Sequence, residues 1–587
     1  MLKIFKYLQK KDWLFILCSL IFIVTQVWLD LKLPDYMHEI TMLVQTKGSK
    51  MSDVLIQGGY MLLCAIGSMA AAMITVYFAA KVAAGFSVRL RGMVFEKTMS
   101  FSMEEINGFS TASLITRSTN DITQIQLLIA MGLQAIVKAP ILAAWAILKI
   151  MGKSWQFTTA TGVAVLFLIV MLCIIIFVAL PKFKRIQSLT DNLNRVTREN
   201  LSGIRVVHAY NAEGYQEEKF DKANSELTKT NLFTNRTMAI MMPTMGLIMS
   251  GISLAIYWMG AFLIQNAAGP DKLSLFSDMV VFSSYAMQVI MAFMMLSIVF
   301  IMVPRASVSV KRINEVLNTE AKILNGDQTE GEAGISGEVE FQNVSFKYPD
   351  AADYILHNIS FTAHRGETVA FIGSTGSGKS TLINLIPRFY DATEGEVLIN
   401  GINVKRYTQE SLHNKLGYIS QKAVLFSGTV SSNVAYGEER NQTLDETSLK
   451  KAIEIAQGTE FVEKMEDQYE ANIAQGGTNL SGGQKQRLSI ARAIYRKPEI
   501  YLFDDSFSAL DYKTDRVLRS LLKKEIKDAT TLIVAQRIGT IKDADRIVVL
   551  DDGKIVGMGT HLELMENCSV YQEIAYSQLS KEELEIG

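Results

Sequence analysis

Cysteine is nearly absent from this sequence, whose 587 residues contain only four. Three of them, Cys18, Cys64 and Cys173, stand inside long apolar runs, and Cys568 lies near the C-terminus. No two have the spacing of metal ligands, and no disulfide framework of a small secreted domain is visible. We therefore interpret them as isolated packing residues rather than as a metal or redox site.

A surplus of positive charge is also lacking. The 58 Lys and Arg residues balance the 59 Asp and Glu residues, so the formal net charge is −1. A nucleic-acid-binding protein normally carries a clear basic surplus on one face or domain. The sequence therefore gives no case for a nucleic-acid partner.

Apolar runs, by contrast, are abundant in the first half of the chain. A helix needs roughly 20 apolar residues to cross the hydrocarbon core of a bilayer. Six segments predict such spans, and the third is the weakest because it contains lysines: 13–33, 54–85, 127–151, 155–180, 239–264 and 278–303. No small-residue cleavage site follows the first run, so we expect it to be retained. The lysine-rich stretch before it predicts an interfacial helix.

The distribution of basic residues predicts the orientation of these spans. Four basic residues between Arg89 and Arg117 follow the second span, and ten between Lys182 and Arg236 follow the fourth. The other loops carry little beyond Lys47, Lys50, Lys153 and Lys272. The positive-inside rule then places both termini and the two long loops in the cytoplasm. Because no organelle-targeting character is visible, we expect a multi-pass protein of a bacterial plasma membrane.

The two long loops are too long to be simple connections. Their patterns predict helices that extend the spans into the cytoplasm and turn back near 104–110 and 209–215, where Gly108 and Gly214 are expected to break them. Such tips can contact a soluble domain. A solvated hairpin without a partner is the alternative.

The sequence after the membrane part predicts a P-loop. We divide the chain into a membrane domain at 1–317, a polar linker at 318–337 and an α/β domain at 338–587. A strand leads into GSTGSGKST and a helix follows, which is the context that a phosphate-binding loop requires. Lys379 should reach the β- and γ-phosphates of ATP and Ser380 should ligate Mg²⁺. The predicted ATP contacts in this loop are Gly373, Ser374, Thr375, Gly376, Ser377, Gly378, Lys379, Ser380 and Thr381.

Four further motifs make the nucleotide site specific. A buried strand before Asp504 gives a Walker B pattern, with the carboxylate placed for the Mg²⁺ shell. Gln421 in YISQ can reach Mg²⁺ or water, and Tyr348 in FKYPD can stack on adenine. Taken singly, these two residues are also compatible with structural roles. The pentapeptide LSGGQ, at 480–484, opens a helix whose N-terminus can bind phosphate.

In this order, the motifs resemble an ABC transporter half-subunit of the exporter type over almost the whole chain. In that family two nucleotide-binding domains dimerise head to tail, and each ATP lies between the P-loop of one and the LSGGQ of the other. The resemblance implies that Ser481, Gly483 and Gln484 contact ATP held by a partner subunit. It also implies that 508–511 crosses the dimer interface. The two tips match the coupling helices of the family, the second of which usually docks on the partner.

Two residues depart from the active pattern of the family. Asp505 stands where the family has Glu, and a carboxylate displaced by about 1 Å can cost on the order of 100-fold in rate. Gln536 stands where the family has His, and an amide can donate a hydrogen bond but cannot become an imidazolium. The chain therefore resembles the degenerate-site subunit of a heterodimeric bacterial multidrug exporter, paired with a half-transporter that keeps the catalytic Glu and His.

Two other interpretations stay open. One is a homodimeric lipid or peptide exporter with two slow sites. The other is a regulatory or channel-like protein gated by ATP binding, since a poor hydrolase can still drive dimer closure.

Spans five and six are rich in methionine, which adapts to ligands of different shape. The cargo we predict is a hydrophobic or amphipathic small molecule, with helix packing and contact with membrane lipid as an equal alternative. Lys138, in the third span, is a functional position by default in a membrane, or else it snorkels to the cytoplasmic end.

Overall fold

The computed structural model describes residues 2–46, 48–151, 155–267, 271–349, 351–437 and 444–578. The chain forms two compact units. The first contains Met1–Met99 and Ala112–Asn318, and the second contains Ser100–Thr111 and Thr319–Gly587. The predicted fold class is confirmed: within the described ranges, six helical segments long and apolar enough to span a membrane precede an α/β domain with a P-loop.

The first unit is built from long helices. A short 3₁₀ helix, Leu2–Tyr7, precedes them. The helices of this part of the chain are α1 Lys10–Gln45, α2 Met51–Met99, α3 Met103–Phe109 (a member of the second unit), α4 Thr111–Ser118, α5 Asn120–Gly132, α6 Ala139–Met151, α7 Trp155–Ser202, α8 Ile204–Ala209, α9 Glu213–Ala239, α10 Met241–Asn266 and α11 Asp271–Asn318. Helices α2 and α7 continue far past residues 85 and 180, where the predicted spans end, as the patterns of the two long loops predicted.

The third span, whose lysines made it the weakest of the six predicted spans, has an irregular helical backbone. Between α5 and α6 the backbone forms a π-helix at Leu133–Lys138. Pro140 follows in α6 and cannot donate a hydrogen bond to the carbonyl of Ile136, four residues earlier. A proline ring also clashes with that carbonyl, and a π-turn widens the helix at this point. The segment Thr111–Met151 still has the length and apolarity of a membrane span.

The tips of the two hairpins lie near the predicted positions, but the glycines do not break them. Gly108 lies inside α3 and Gly214 lies inside α9, so that prediction was wrong. The chain turns instead at Ser110 and Asn211, whose φ angles are 60° and 48°. Asparagine and serine bond locally to the backbone and can therefore take such conformations.

Acidic and basic side chains pair between the membrane helices. Lys138 Nζ lies 3.2 Å from Asp30 Oδ2 on α1, and Lys149 Nζ lies 2.7 Å from Asp35 Oδ2. The Tyr285 hydroxyl on α11 donates to Asp35 Oδ1 at 2.5 Å. Lys138 is thus partnered within the protein rather than oriented toward the cytoplasmic end, so its charge joins the third span to α1.

Removal of Lys138 tests the strength of this link. Lys138→Met leaves the partly buried Asp30 carboxylate without its cation, although the Ser68 hydroxyl still donates to it, so we expect a cost of about 1–2 kcal/mol, below that of breaking a fully buried pair. We expect a lower thermal unfolding midpoint in detergent, with most of the loss recovered in the Asp30→Asn/Lys138→Met double variant. Unchanged stability with altered transport would instead assign Lys138 to cargo contact.

The described residues of the second unit form three sheets. Its strands are β1 Val339–Phe346, β2 Leu356–Ala363, β3 Thr368–Gly373, β4 Glu394–Ile399, β5 Ile402–Asn403, β6 Leu416–Ile419, β7 Gly428–Thr429, β8 Asn472–Ile473, β9 Ile500–Asp504, β10 Thr530–Val534, β11 Arg546–Asp551 and β12 Lys554–Gly559. Its helices besides α3 are α12 Lys379–Leu385, α13 Gln409–Asn414, α14 Val430–Val434, α15 Glu446–Ile455, α16 Thr459–Glu463, α17 Gly482–Tyr495, α18 Tyr512–Glu525, α19 Ile538–Ile541, α20 His561–Asn567 and α21 Ser569–Gln578.

The central sheet determines where the site lies. It has six strands in the order β12-β11-β3-β10-β9-β6, and only β12 is antiparallel to its neighbour. Every residue of β9 and β10 is buried, as expected for a parallel sheet covered on both faces. The carboxyl ends of β3, β10, β9 and β6 therefore meet at one edge, which is where ligands bind in open α/β sheets. The antiparallel sheet, in the order β2-β1-β4-β5, and the pair β7-β8 complete the unit.

Candidate nucleotide-binding site

The P-loop connects the end of β3 to α12 through two positions that require glycine. Gly378 has φ 94°, and a Cβ there would lie 2.6 Å from Leu356 Cδ2. A Cβ on Gly373 would lie 1.9 Å from the Leu550 carbonyl oxygen. Larger side chains are thus excluded by backbone conformation and by space, and the loop keeps its tight path around the start of α12.

Lys379 is folded back onto the P-loop. Its ammonium group donates to the carbonyl oxygens of Gly373 at 2.9 Å and Ser374 at 2.7 Å. Burial lowers the pKa of Lys379, while the nearby carboxylates of Asp504 and Asp505 oppose that shift. These two bonds hold the cation beside the space that the loop surrounds, which is where the predicted phosphates would lie.

Ser380 and Asp504 are brought together as the predicted metal ligands. The Ser380 hydroxyl donates to Asp504 Oδ1 at 2.6 Å. Burial raises the pKa of Asp504, while the hydrogen bond from Ser380 and the charge of Lys379 oppose that shift, so a further cation beside this carboxylate would favour its ionised form. A hydroxyl and a carboxylate oxygen are donors that suit Mg²⁺, which completes its shell with phosphate oxygens and water. Among the described residues no cluster of three His, Cys, Asp or Glu could hold a metal by itself.

Asp505 lies at the centre of the predicted catalytic group. Its Oδ2 accepts hydrogen bonds from Gln421 Nε2 at 3.1 Å and from Gln536 Nε2 at 2.7 Å. The backbone at Asp505 has φ 46°, a left-handed conformation that aspartate tolerates better than most residues. Gln421, Asp505 and Gln536 follow the carboxyl ends of β6, β9 and β10, which are neighbours in the sheet. Two neutral amides thus restrain one carboxylate oxygen.

Burial raises the pKa of Asp505, with the hydrogen bonds from Gln421, Ser508 and Gln536 opposing that shift. When the pKa of a carboxyl is higher in the folded than in the unfolded protein, the free energy of unfolding falls as the pH rises from the unfolded pKa to the folded pKa. The loss of stability is complete above the folded pKa. Asp505→Asn removes the charge and keeps an acceptor for both amides. In nucleotide-free protein at pH 7.5 we expect its unfolding midpoint to rise by about 2–4 °C.

That gain should shrink as the pH is lowered toward about 4, where the unfolded carboxyl becomes protonated. Asp511→Asn is the control of opposite sign, because a hydrogen bond from Thr514 lowers the pKa of Asp511. It should lose stability at pH 7.5. A midpoint for Asp505→Asn that is independent of pH would contradict the expectation.

Tyr348 lies beside the P-loop but is held by protein contacts. Its hydroxyl is 3.1 Å from Thr381 Oγ1. Its ring packs edge-to-face against Tyr390 at 5.2 Å and against Phe346 at 5.0 Å. Stacking of Tyr348 on adenine stays a prediction.

Tyr390 and Asn107 were missed by sequence reasoning. Asn107 Nδ2, on α3, donates to the Tyr390 hydroxyl at 3.1 Å. Lys322 forms an ion pair with Glu104 of the same helix. The first hairpin tip therefore contacts the nucleotide-binding unit, as predicted, and it does so next to Tyr348. In the sequence, Tyr390 could have been noticed as the aromatic residue that ends LINLIPRFY, the segment after the P-loop.

The LSGGQ segment forms the exposed N-terminus of α17. The Ser481 backbone amide donates to Gln484 Oε1 at 2.8 Å, and the Gln484 amide donates to Ser481 Oγ at 3.3 Å. This reciprocal cap orders the segment. A Cβ on Gly483 would lie 3.3 Å from the Ala509 carbonyl oxygen. Within the described part of the chain, no hydrogen bond joins these residues to the P-loop, and the contact of Ser481 with ATP held by a partner subunit stays a prediction.

Comparisons with known proteins agree with this architecture. The ABC transporter family model matches residues 356–508, and the ABC transporter transmembrane region matches 14–322. The chain is 42% identical to an uncharacterized ABC transporter ATP-binding protein of Mycobacterium tuberculosis H37Rv, over 89% of this chain and 87% of the relative. It is 30% identical to the ATP-dependent lipid A-core flippase of Pseudomonas aeruginosa PAO1, over 85% and 81%.

A solved structure of a bacterial Atm1-family ABC exporter with ATP bound matches the fold. Its TM-score is 0.81 at 23% identity, and the match covers 97% of this chain and 99% of that one.

Proposed function

Because this chain belongs to the ABC transporter family, as an ATP-dependent exporter with a fused transmembrane region, we propose that it is the degenerate-site half of a heterodimer. Its own P-loop, Asp505 and Gln536 form a site that binds ATP and hydrolyses it slowly. Its LSGGQ completes the site of a second half-transporter that carries the catalytic Glu and His.

The observation that carries this proposal is the environment of Asp505. A general base must reach the attacking water and accept its proton. Here the shorter carboxylate accepts hydrogen bonds from Gln421 and Gln536 through one oxygen. Gln536 lies where an imidazole would be expected, and its amide cannot carry positive charge toward a developing phosphate charge. Binding residues and poor catalytic residues therefore coexist in one site.

The remaining residues of the site are assigned roles in holding the nucleotide. Lys379 would bind the β- and γ-phosphates through its ammonium group, and Ser380, Asp504 and Gln421 would hold Mg²⁺. When bound, Mg²⁺ neutralises charge on the phosphate oxygens. Tyr348 supports the adenine, and the backbone amides after Gly373 cradle the phosphates.

For the cargo we propose hydrophobic or amphipathic small molecules, in the manner of a multidrug exporter of a bacterial plasma membrane with cytoplasmic termini. Met245 is buried between the membrane helices, whereas Met242 and Met291 are exposed on α10 and α11. Such side chains can contact ligands of varied shape. A homodimeric lipid exporter is the second candidate, favoured by the similarity to a lipid A-core flippase.

The heterodimer is tested by measuring ATP turnover of the purified chain before and after addition of a candidate half-transporter that has Glu after its Walker B Asp. We expect slow turnover alone and an increase of about 100-fold in the complex. The same partner with that Glu replaced by Gln is the control and should not activate. Fast turnover by this chain alone would refute the proposal, and conductance supported by non-hydrolysable ATP would favour an ATP-gated channel.

A further inference from the structure

A basic cleft opens between α7 and α9, close to where α7 leaves the predicted membrane span. Its volume is about 320 Å³, and it is lined by Lys182, Arg185, Glu226, Lys229, Thr230 and Phe233. Three cations face one carboxylate, so the cleft carries a net positive charge. It is unrelated to the nucleotide site, since all of its residues belong to the first unit.

The α7 wall of the cleft lies at the level of lipid headgroups, whereas Lys229 in the α9 wall lies roughly 15 Å before the predicted fifth span. The predicted span ends at residue 180, and a helix rises about 1.5 Å per residue, so Lys182 and Arg185 lie roughly 3–8 Å beyond it. The headgroup layer is about 5–8 Å thick on each side of the hydrocarbon core. On the facing helix, Phe233 is 47% exposed, as is common for aromatic residues at a membrane interface.

The cations of the cleft are not neutralised by the protein. Lys182 Nζ lies over the Phe233 ring, 5.4 Å from its centroid. Arg185 and Lys229 form no ion pair with any residue that the structure describes. Farther along the same two helices the pattern differs, because Arg195 and Lys219 both pair with Glu199 at 2.9 Å. Arg185 and Lys229 therefore differ from Arg195 and Lys219, whose charges the Glu199 carboxylate offsets.

We infer that this cleft binds the phosphate of an anionic membrane lipid. A guanidinium and two ammonium groups match the oxygens of a phosphate, with Arg supplying a planar pair of donors and Lys a point charge. Phe233 offers an apolar surface to the glycerol and upper acyl chain. Basic pockets of this kind beside spanning helices are suited to acidic headgroups. A lipid bound there would contact both α7 and α9 and stabilise their packing at the membrane end of the second hairpin.

The test compares two matched double variants of the full-length protein by native mass spectrometry. Arg185→Gln/Lys229→Gln removes one cation from each wall of the cleft. Arg195→Gln/Lys219→Gln removes the same charges from the same helices, away from the membrane. Each protein is titrated with phosphatidylglycerol, with phosphatidylcholine and with inorganic phosphate. The two removed cations should weaken phosphatidylglycerol binding about 10-fold or more, while the control binds as the wild type does.

The charge-conserving variant Arg185→Lys/Lys229→Arg should retain binding, which separates loss of charge from misfolding. Equal binding by the Gln variant and the wild type would overturn the inference, as would an equal loss in the control. Displacement of the lipid by inorganic phosphate would identify a free-phosphate site instead. Loss of subunit association with lipid binding unchanged would show that the cleft is a protein interface.

Discussion

Replacing Asp505 with Glu and Gln536 with His in the same chain is expected to raise the ATP turnover of its homodimer, assayed without any different half-transporter, by about 100-fold. The Glu extends the carboxylate by one methylene, beyond the point where Gln421 and Gln536 now restrain it at 3.1 and 2.7 Å. The imidazole restores a group that can carry positive charge beside the phosphate. Every other residue predicted to hold ATP is already present, including the LSGGQ that completes a second copy's site.

Phosphate release from a detergent-solubilised, cross-linkable dimer is the measurement. Each single substitution should recover only part of the rate, because base and charge act on the same transition state. Adding Lys379→Met to the double variant should abolish the gain, which excludes a contaminating ATPase. An unchanged rate in a preparation that dimerises and binds ATP would show that Asp505 and Gln536 are not what limits this site.

Within the heterodimer, Ser481 should matter far more for turnover than Lys379. Ser481→Asp is expected to lower ATP turnover about 100-fold, because it places a carboxylate against the phosphates of the partner's active site. Lys379→Met should lower turnover less than about threefold, since it impairs only a slow site. The prediction depends on Ser481 being exposed at the start of α17 rather than directed into its own domain.

The choice of aspartate at position 481 keeps the fold intact. Ser481 caps α17 by accepting a hydrogen bond from the Gln484 amide, and aspartate caps as well as serine does. The unfolding midpoint should therefore stay close to that of the wild type. Equal losses from the Ser481 and Lys379 substitutions would mean that both sites hydrolyse ATP, and the asymmetric mechanism would fail.

Much of the fold was predictable because its signals are local. Long apolar runs predict spans wherever they occur, and a strand, a glycine-rich turn and a helix predict a P-loop from adjacent residues. The central sheet then brings Gln421, Asp505 and Gln536 together, although they are far apart in sequence. Motif order allowed this to be inferred from the family resemblance, but the pairing of β6, β9 and β10 is visible only in the structure.

Contacts between segments that are distant in the sequence could not be predicted from the sequence. Nothing near Lys138 indicates that Asp30 is its partner, because the choice depends on how α1 packs beside the third span. The hairpin turns were misassigned for a similar reason. Glycine is favoured where helices break, yet Gly108 and Gly214 are tolerated inside helices, and Ser110 and Asn211 take the left-handed backbone instead.

The helix α3 is spatially part of the nucleotide-binding unit although more than 200 residues separate it from the rest of that unit. A fragment that begins at residue 319 would lack it, leaving the Tyr390 hydroxyl without Asn107 and Lys322 without Glu104. Such a fragment would expose, next to Tyr348, a surface that the whole protein covers. Nucleotide affinities measured on the excised soluble fragment would then describe a domain that lacks α3 beside its nucleotide site.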